Sequence, residues 1–87
     1  MQIRRVALTT SITKLSEIPK GSQFIICGFV NQGSEYSEKL LKMGFVEGTR
    51  VERTSADISD PMVFSVRHSR VALRKKEARE ILVKDSE

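Results

Sequence analysis

From Met62 to Arg67 the chain alternates in two phases. Met62, Phe64 and Val66 hold one and Val63, Ser65 and Arg67 the other. A period of two is that of a half-buried β-strand. His68-Ser69 then reads as a two-residue hairpin turn, although it lacks the Asn-Gly or Asp-Gly preferred there. Arg70 to Arg74 is the return strand, with Val71 and Leu73 facing inward. Further upstream, Gln23 to Phe29 is rich in Phe and Ile without clean alternation, which predicts a strand buried on both faces for part of its length. Gly28 inside it marks a bend or bulge. Thr49 to Arg53 is another strand, entered through Gly48. Glu80 to Val83 is the last, after one helical turn over Lys75 to Arg79.

One segment carries a helical period. Over Ser34 to Met43, Tyr36, Leu40 and Met43 fall at spacings of four and three, with Leu41 beside the stripe. Ser34 suits the N-cap, Glu35 and Glu38 the positive end of the dipole, and Lys39 and Lys42 the negative end. Gly44 stops the helix. About three turns do not hold alone, so the stripe must dock on the sheet. Pro19 and Gly21 fit the second and fourth places of a β-turn that follows a plug of Leu15 and Ile18. Ile26, Leu41, Phe64, Val71 and Leu73 are the expected core.

About five short strands with one helix after the first predict a mainly β fold. A chain of 87 residues has room for one small domain and must protect its sheet edges, which favours a small barrel. SH3-like and OB-like barrels are the candidates, and the inserted helix leans toward the SH3-like form. Residues 1–12 read as an N-terminal tail and 13–87 as the domain. With 39% hydrophobic and 30% charged residues the composition is that of a soluble globular chain. Its longest apolar run, Phe24 to Val30, falls far short of the roughly 20 residues that span a bilayer. The N-terminus lacks the apolar stretch and cleavage site of a signal peptide. The lone Cys27 forbids an internal disulfide and suits a reducing, cytoplasmic setting.

The net charge of +4 comes from 15 Lys and Arg against 11 Asp and Glu. Arg67, Arg70, Arg74, Lys75, Lys76 and Arg79 crowd the last quarter, opposed locally by Glu77 and Glu80. Such a cluster suits a phosphate backbone, an anionic surface, an acidic protein face or a solvated salt-bridged face. Nucleophilic chemistry is not expected: Cys27 lies in an apolar run, and a single His cannot build a triad. The glycines lack the Lys and Ser/Thr of a phosphate loop. Asp57, Asp60 and His68 are weak candidate metal ligands, without the ligand spacing that a tight site requires. Of the aromatic residues, Tyr36 and Phe45 are the ones left to stack on single-stranded nucleic acid.

Three blocks, in order, resemble the FeoA family, ferrous iron transport protein A. They are Leu15-Ser16-Glu17-Ile18-Pro19-Lys20-Gly21 with Ile26-Cys27-Gly28-Phe29; Lys39-Leu40-Leu41-Lys42-Met43-Gly44-Phe45-Val46-Glu47-Gly48-Thr49; and Asp60-Pro61-Met62 with Val71 to Ala78 and Ile81-Leu82-Val83. Glu47 stands where the family often has Pro, and His68 where it often has Gly. The resemblance implies a cytosolic accessory protein of bacterial ferrous iron uptake, an SH3-like interaction module and not an enzyme, acting on the FeoB transporter at its cytosolic face. It implies no cofactor beyond a weak divalent metal, Fe2+, no nucleic acid and no membrane insertion. It also links the chain to the C-terminal domain of DtxR-type metal-dependent repressors, so the alternative is a metal-responsive or nucleic-acid-binding barrel involved in regulation.

The helix and its exit supply more apolar residues than one face can bury, because adjacent helical residues lie about 100° apart. The expected partner surface is therefore Lys39, Leu40, Lys42, Phe45 and Val46, with Leu40 or Phe45 partly exposed as an apolar anchor inside a basic rim.

Overall fold

The computed structural model describes residues 12–56 and 60–86; the expected tail, Ile12 apart, and Asp57 lie outside them. In chain order the elements are β1 (Thr13–Lys14), a 3-10 turn (Leu15–Glu17), β2 (Gln23–Phe29), α1 (Glu35–Lys42), β3 (Arg50–Arg53), β4 (Met62–Val66), β5 (Ser69–Leu73), α2 (Lys75–Ala78) and β6 (Ile81–Asp85). The strands form one antiparallel sheet in the order β1-β6-β2-β3-β4-β5. That is six strands where about five were expected. The added one is the two-residue β1, too short to show a period, which pairs Thr13 with Val83 and Lys14 with Leu82.

Alternation governs the core. Met62, Phe64 and Val66 of β4 are fully buried, as are Val51 of β3 and Ile81 and Val83 of β6. Leu73 is buried, whereas Val71, expected inside, is half-buried and packs against the core from the edge strand β5. Leu15 and Ile18 form the expected plug, with Ala78 of α2 also buried. Along β2 the pairing with β6 slips between Ile26 and Gly28, leaving Cys27 as the extra residue of a bulge. Ile26 and Phe29 are thereby both buried.

Two turns sit one residue away from expectation. Pro19 takes the first place of its turn: its carbonyl accepts from Ser22 N–H at 3.2 Å, and Gly21 has φ +82°. A positive φ at the third place is what glycine supplies in a type II turn. In the β4–β5 hairpin the central pair is Arg67-His68, because Val66 pairs with Ser69. Both residues have positive φ, +52° and +69°. That hand matches the strand twist, but it costs about 1–2 kcal/mol for each residue carrying a Cβ.

The helix ends in a closure that also sets the core. Ser34 caps its start, accepting from Ser37 N–H at 3.0 Å. At its end Gly44 takes φ +108°, Gly44 N–H donates to Leu41 C=O at 3.0 Å, and Phe45 N–H donates to Leu40 C=O at 3.2 Å. This paired return is the Schellman motif, and it brings the residue after the glycine back over the residue five before it. Phe45 and Leu40 are accordingly 0% and 1% exposed. Leu41, placed in the core by its sequence position, is instead 40% exposed, because Leu40 already fills the inward side with Tyr36 and Met43 half-buried around it.

Phe64→Ala should cost about 3–5 kcal/mol, read as a fall in the urea midpoint, since the ring is wholly enclosed. An unchanged midpoint would remove β4 from the core. A Cβ on Gly44 would meet Arg67 Cδ at 3.5 Å, an ordinary contact. Gly44→Ala should therefore lose about 1–2 kcal/mol through its backbone alone, and an unchanged melting temperature would show that the positive φ is not required.

Candidate functional site

The expected partner surface divides in two. Leu40 and Phe45 are core residues, so neither is an exposed anchor, and Val46 is half-buried with its N–H donating to Gly44 C=O at 2.9 Å. Lys39 and Lys42 are exposed, and the apolar residue between them at the surface is Leu41. The exposed apolar residue beside Lys39 and Lys42 is thus Leu41, and not Leu40 or Phe45 as expected. Its signal was in the sequence: an apolar residue directly after a helix-stopping glycine and another five positions back is the hydrophobic pair of a Schellman end. That pair assigns Leu40 and Phe45 inward and leaves Leu41 out.

The basic cluster of the last quarter is also split. Arg74, Lys75, Lys76 and Arg79 surround α2, where Glu77 and Glu80 lie. Arg67 and Arg70 stand beyond the other end of β5 and within it, so Arg67 and Arg74 are separated by roughly 17 Å of strand. On the outer face of the sheet Gln23, Glu52, Ser65 and Arg70 form one row across β2, β3, β4 and β5. The next row carries Lys84, Ile25 and Arg50. Val51 pairs with Val66, and Arg67 follows as the first residue of the turn. These residues enclose a groove of about 300 Å³ lined by Gln23, Thr49, Arg50, Glu52, Ser65, Arg67 and His68. Sequence position singled out Arg67 and His68 but not Arg50, which reaches them only through the strand register.

The two candidate metal ligands among the described residues, Asp60 and His68, do not converge. Asp60 Oδ1 accepts from Lys75 N–H at 3.1 Å, capping α2, while His68 is exposed at the hairpin tip. The two lie beyond opposite ends of β4, roughly 16 Å of strand apart, too far to share an ion. Among the described residues no three His, Cys, Asp or Glu side chains are grouped to hold a metal. Cys27 is half-buried; desolvation pushes its thiol up, with Lys84 opposing and Glu47 adding to the rise. A thiol so held is a poor nucleophile. Tyr36 is half-buried, and its hydroxyl is pushed up first by desolvation and then by the carboxylates of Glu77 and Glu80. With Phe45 in the core and Tyr36 beside two carboxylates, neither offers a stacking platform to a polyanion. No helix among the described residues is long and apolar enough to cross a membrane.

Comparison with known proteins places this architecture. No curated protein matches the sequence. The structure is similar to an FeoA-like protein from Clostridium acetobutylicum, at 31% identity over 92% of each chain with a TM-score of 0.77. It is similar to iron(II) transport protein A from Clostridium thermocellum, at 36% identity over 85% of this chain and 46% of that one, TM-score 0.75. A zinc complex of Stenotrophomonas maltophilia FeoA, described as a prokaryotic SH3 domain protein and a candidate activating factor of ferrous iron transport, matches at 25% identity over 82% of this chain and 88% of that one, TM-score 0.71. A manganese-dependent transcriptional repressor and T. acidophilum IdeR share the fold alone, at 13% and 15% identity. The fold is thus the expected SH3-like one. The FeoA domain model matches residues 13–85, from the first strand of the sheet to the last, and this chain belongs to the FeoA family.

Proposed function

We propose that this chain is a non-enzymatic, cytosolic accessory module of ferrous iron uptake that docks on the FeoB transporter through the outer face of α1. Residues 13–87 form the module and 1–12 its tail. The observation that carries the reading is Leu41, 40% exposed on a helix whose other large apolar residue is buried, with Lys39 and Lys42 exposed around it. An apolar anchor within a charged rim is the usual form of a small protein-binding hot spot. Membership of the FeoA family supports the transport role.

Leu41→Gln should leave the fold intact and weaken binding to the transporter by roughly tenfold or more, as loss of a hot-spot anchor does. Titration against the soluble GTP-binding domain and, separately, the membrane-embedded transporter measures it. Full binding by a folded Leu41→Gln variant would rule this surface out. Leu40→Gln is the companion control and should lose folding, since it places an amide in the core.

A metal-responsive role is the second reading, favoured by the zinc complex of the Stenotrophomonas relative. The described residues do not fit it: Asp60 is engaged by the α2 backbone and His68 stands at the other end of the strand. Ferrous iron in the low micromolar range should therefore leave the melting temperature unchanged, because a ligand held by the native state alone must raise it. A rise abolished by His68→Ala or Asp60→Ala would establish the metal reading instead.

A further inference from the structure

The groove on the outer face of β2, β3 and β4 has no part in the docking surface on α1, and its construction is costly in two separate ways. Arg50 and Arg67 line the same groove, two like charges that repel one another. The hairpin tip beside them places Arg67 and His68 at positive φ, where Asn-Gly would fit without strain. The hand of the turn serves the hairpin, but Arg67 and His68 are not the residues that this hand favours. Local strain and unfavourable charge gathered in one groove are what a binding site retains for the sake of its side chains.

We propose that this groove binds a phosphate monoester. Two guanidinium groups supply forked, permanently charged donors that match the oxygens of a phosphate. His68, Thr49 and Ser65 line the same space and add shorter donors. At about 300 Å³ the groove exceeds a bare phosphate and falls at the lower end of small-molecule sites, leaving room for the group that carries it. Glu52 lines that remaining space and lies across from Gln23 and Ser65 in the sheet. As an acceptor it suits a hydroxyl on the esterified portion, and as an anion it disfavours a second phosphate. Soluble metabolites and the headgroup of phosphatidic acid both carry this group, and the two sources share the same chemistry.

Amide chemical shifts of the full chain, titrated with glycerol 3-phosphate and with sodium chloride and sodium sulfate at matched ionic strength, test this, together with sedimentation on phosphatidic acid vesicles against phosphatidylcholine vesicles. Glycerol 3-phosphate should produce saturable shifts centred on Thr49, Arg50, Arg67 and His68. Arg50→Gln should weaken the affinity roughly tenfold, the loss of one charge-assisted donor pair. The double variant Arg67→Asn, His68→Gly should melt at a higher temperature, through relief of the turn, while losing saturable binding; the two readouts separate a site from a merely structural tip. Binding to phosphatidic acid vesicles without binding to glycerol 3-phosphate would assign the headgroup as the source. Shifts equal in chloride or sulfate, shifts centred on Arg74 to Arg79, undiminished binding by the double variant, or binding to neither probe would overturn the proposal.

Discussion

The paired hydrogen bonds from Gly44 and Phe45 to Leu41 and Leu40 fix what the rest of this domain can do. They fold the exit of α1 back on itself and carry Phe45 into the core over Leu40. A helix of eight residues cannot hold by itself, so this return, with the stripe it completes, fastens α1 to the sheet. Once Leu40 and Phe45 face inward, Leu41 must face outward, since its neighbour is turned by about 100°. The apolar point on the surface follows from the way the helix ends.

A domain this small uses nearly all its large apolar side chains for one core, and its remaining surface chemistry is charge. The sheet then decides where that charge collects. Arginines close in sequence are separated along β5, while Arg50 and Arg67, seventeen positions apart, line one groove where β3 and β4 pair. Carboxylates do the converse around α2. Glu77 reaches back to the Arg74 N–H at 2.8 Å and lies near the Tyr36 hydroxyl, so the basic residues there are interleaved with acid. The groove holds Arg50 and Arg67, with Glu52 as the one carboxylate among its lining residues.

The elements that follow from local pattern were legible in the sequence. Alternation over Met62 to Val66, the capped stripe from Ser34, the bulge at Gly28 and the Leu15–Ile18 plug all stand where the residues indicate. Those that depend on closure or register were not. The hairpin turn lies one residue earlier than His68-Ser69, because strand pairing outweighs the poor turn chemistry of Arg67-His68. Leu41 and Phe45 exchange their expected places, because a residue just past a helix stop was read as loop although the Schellman return makes it core. Arg50 could not be associated with Arg67 and His68 without the β3–β4 register.

Amide hydrogen exchange at Gly44 and Phe45 tests the central closure most directly. If their N–H groups are held by Leu41 and Leu40, both exchange slowly, with protection comparable to that of the Phe64 and Val66 amides in β4. Exchange at the rate of an open loop, with β4 still protected, would contradict it. Phe45 would then be free of the helix, and nothing would oblige Leu41 to face the solvent.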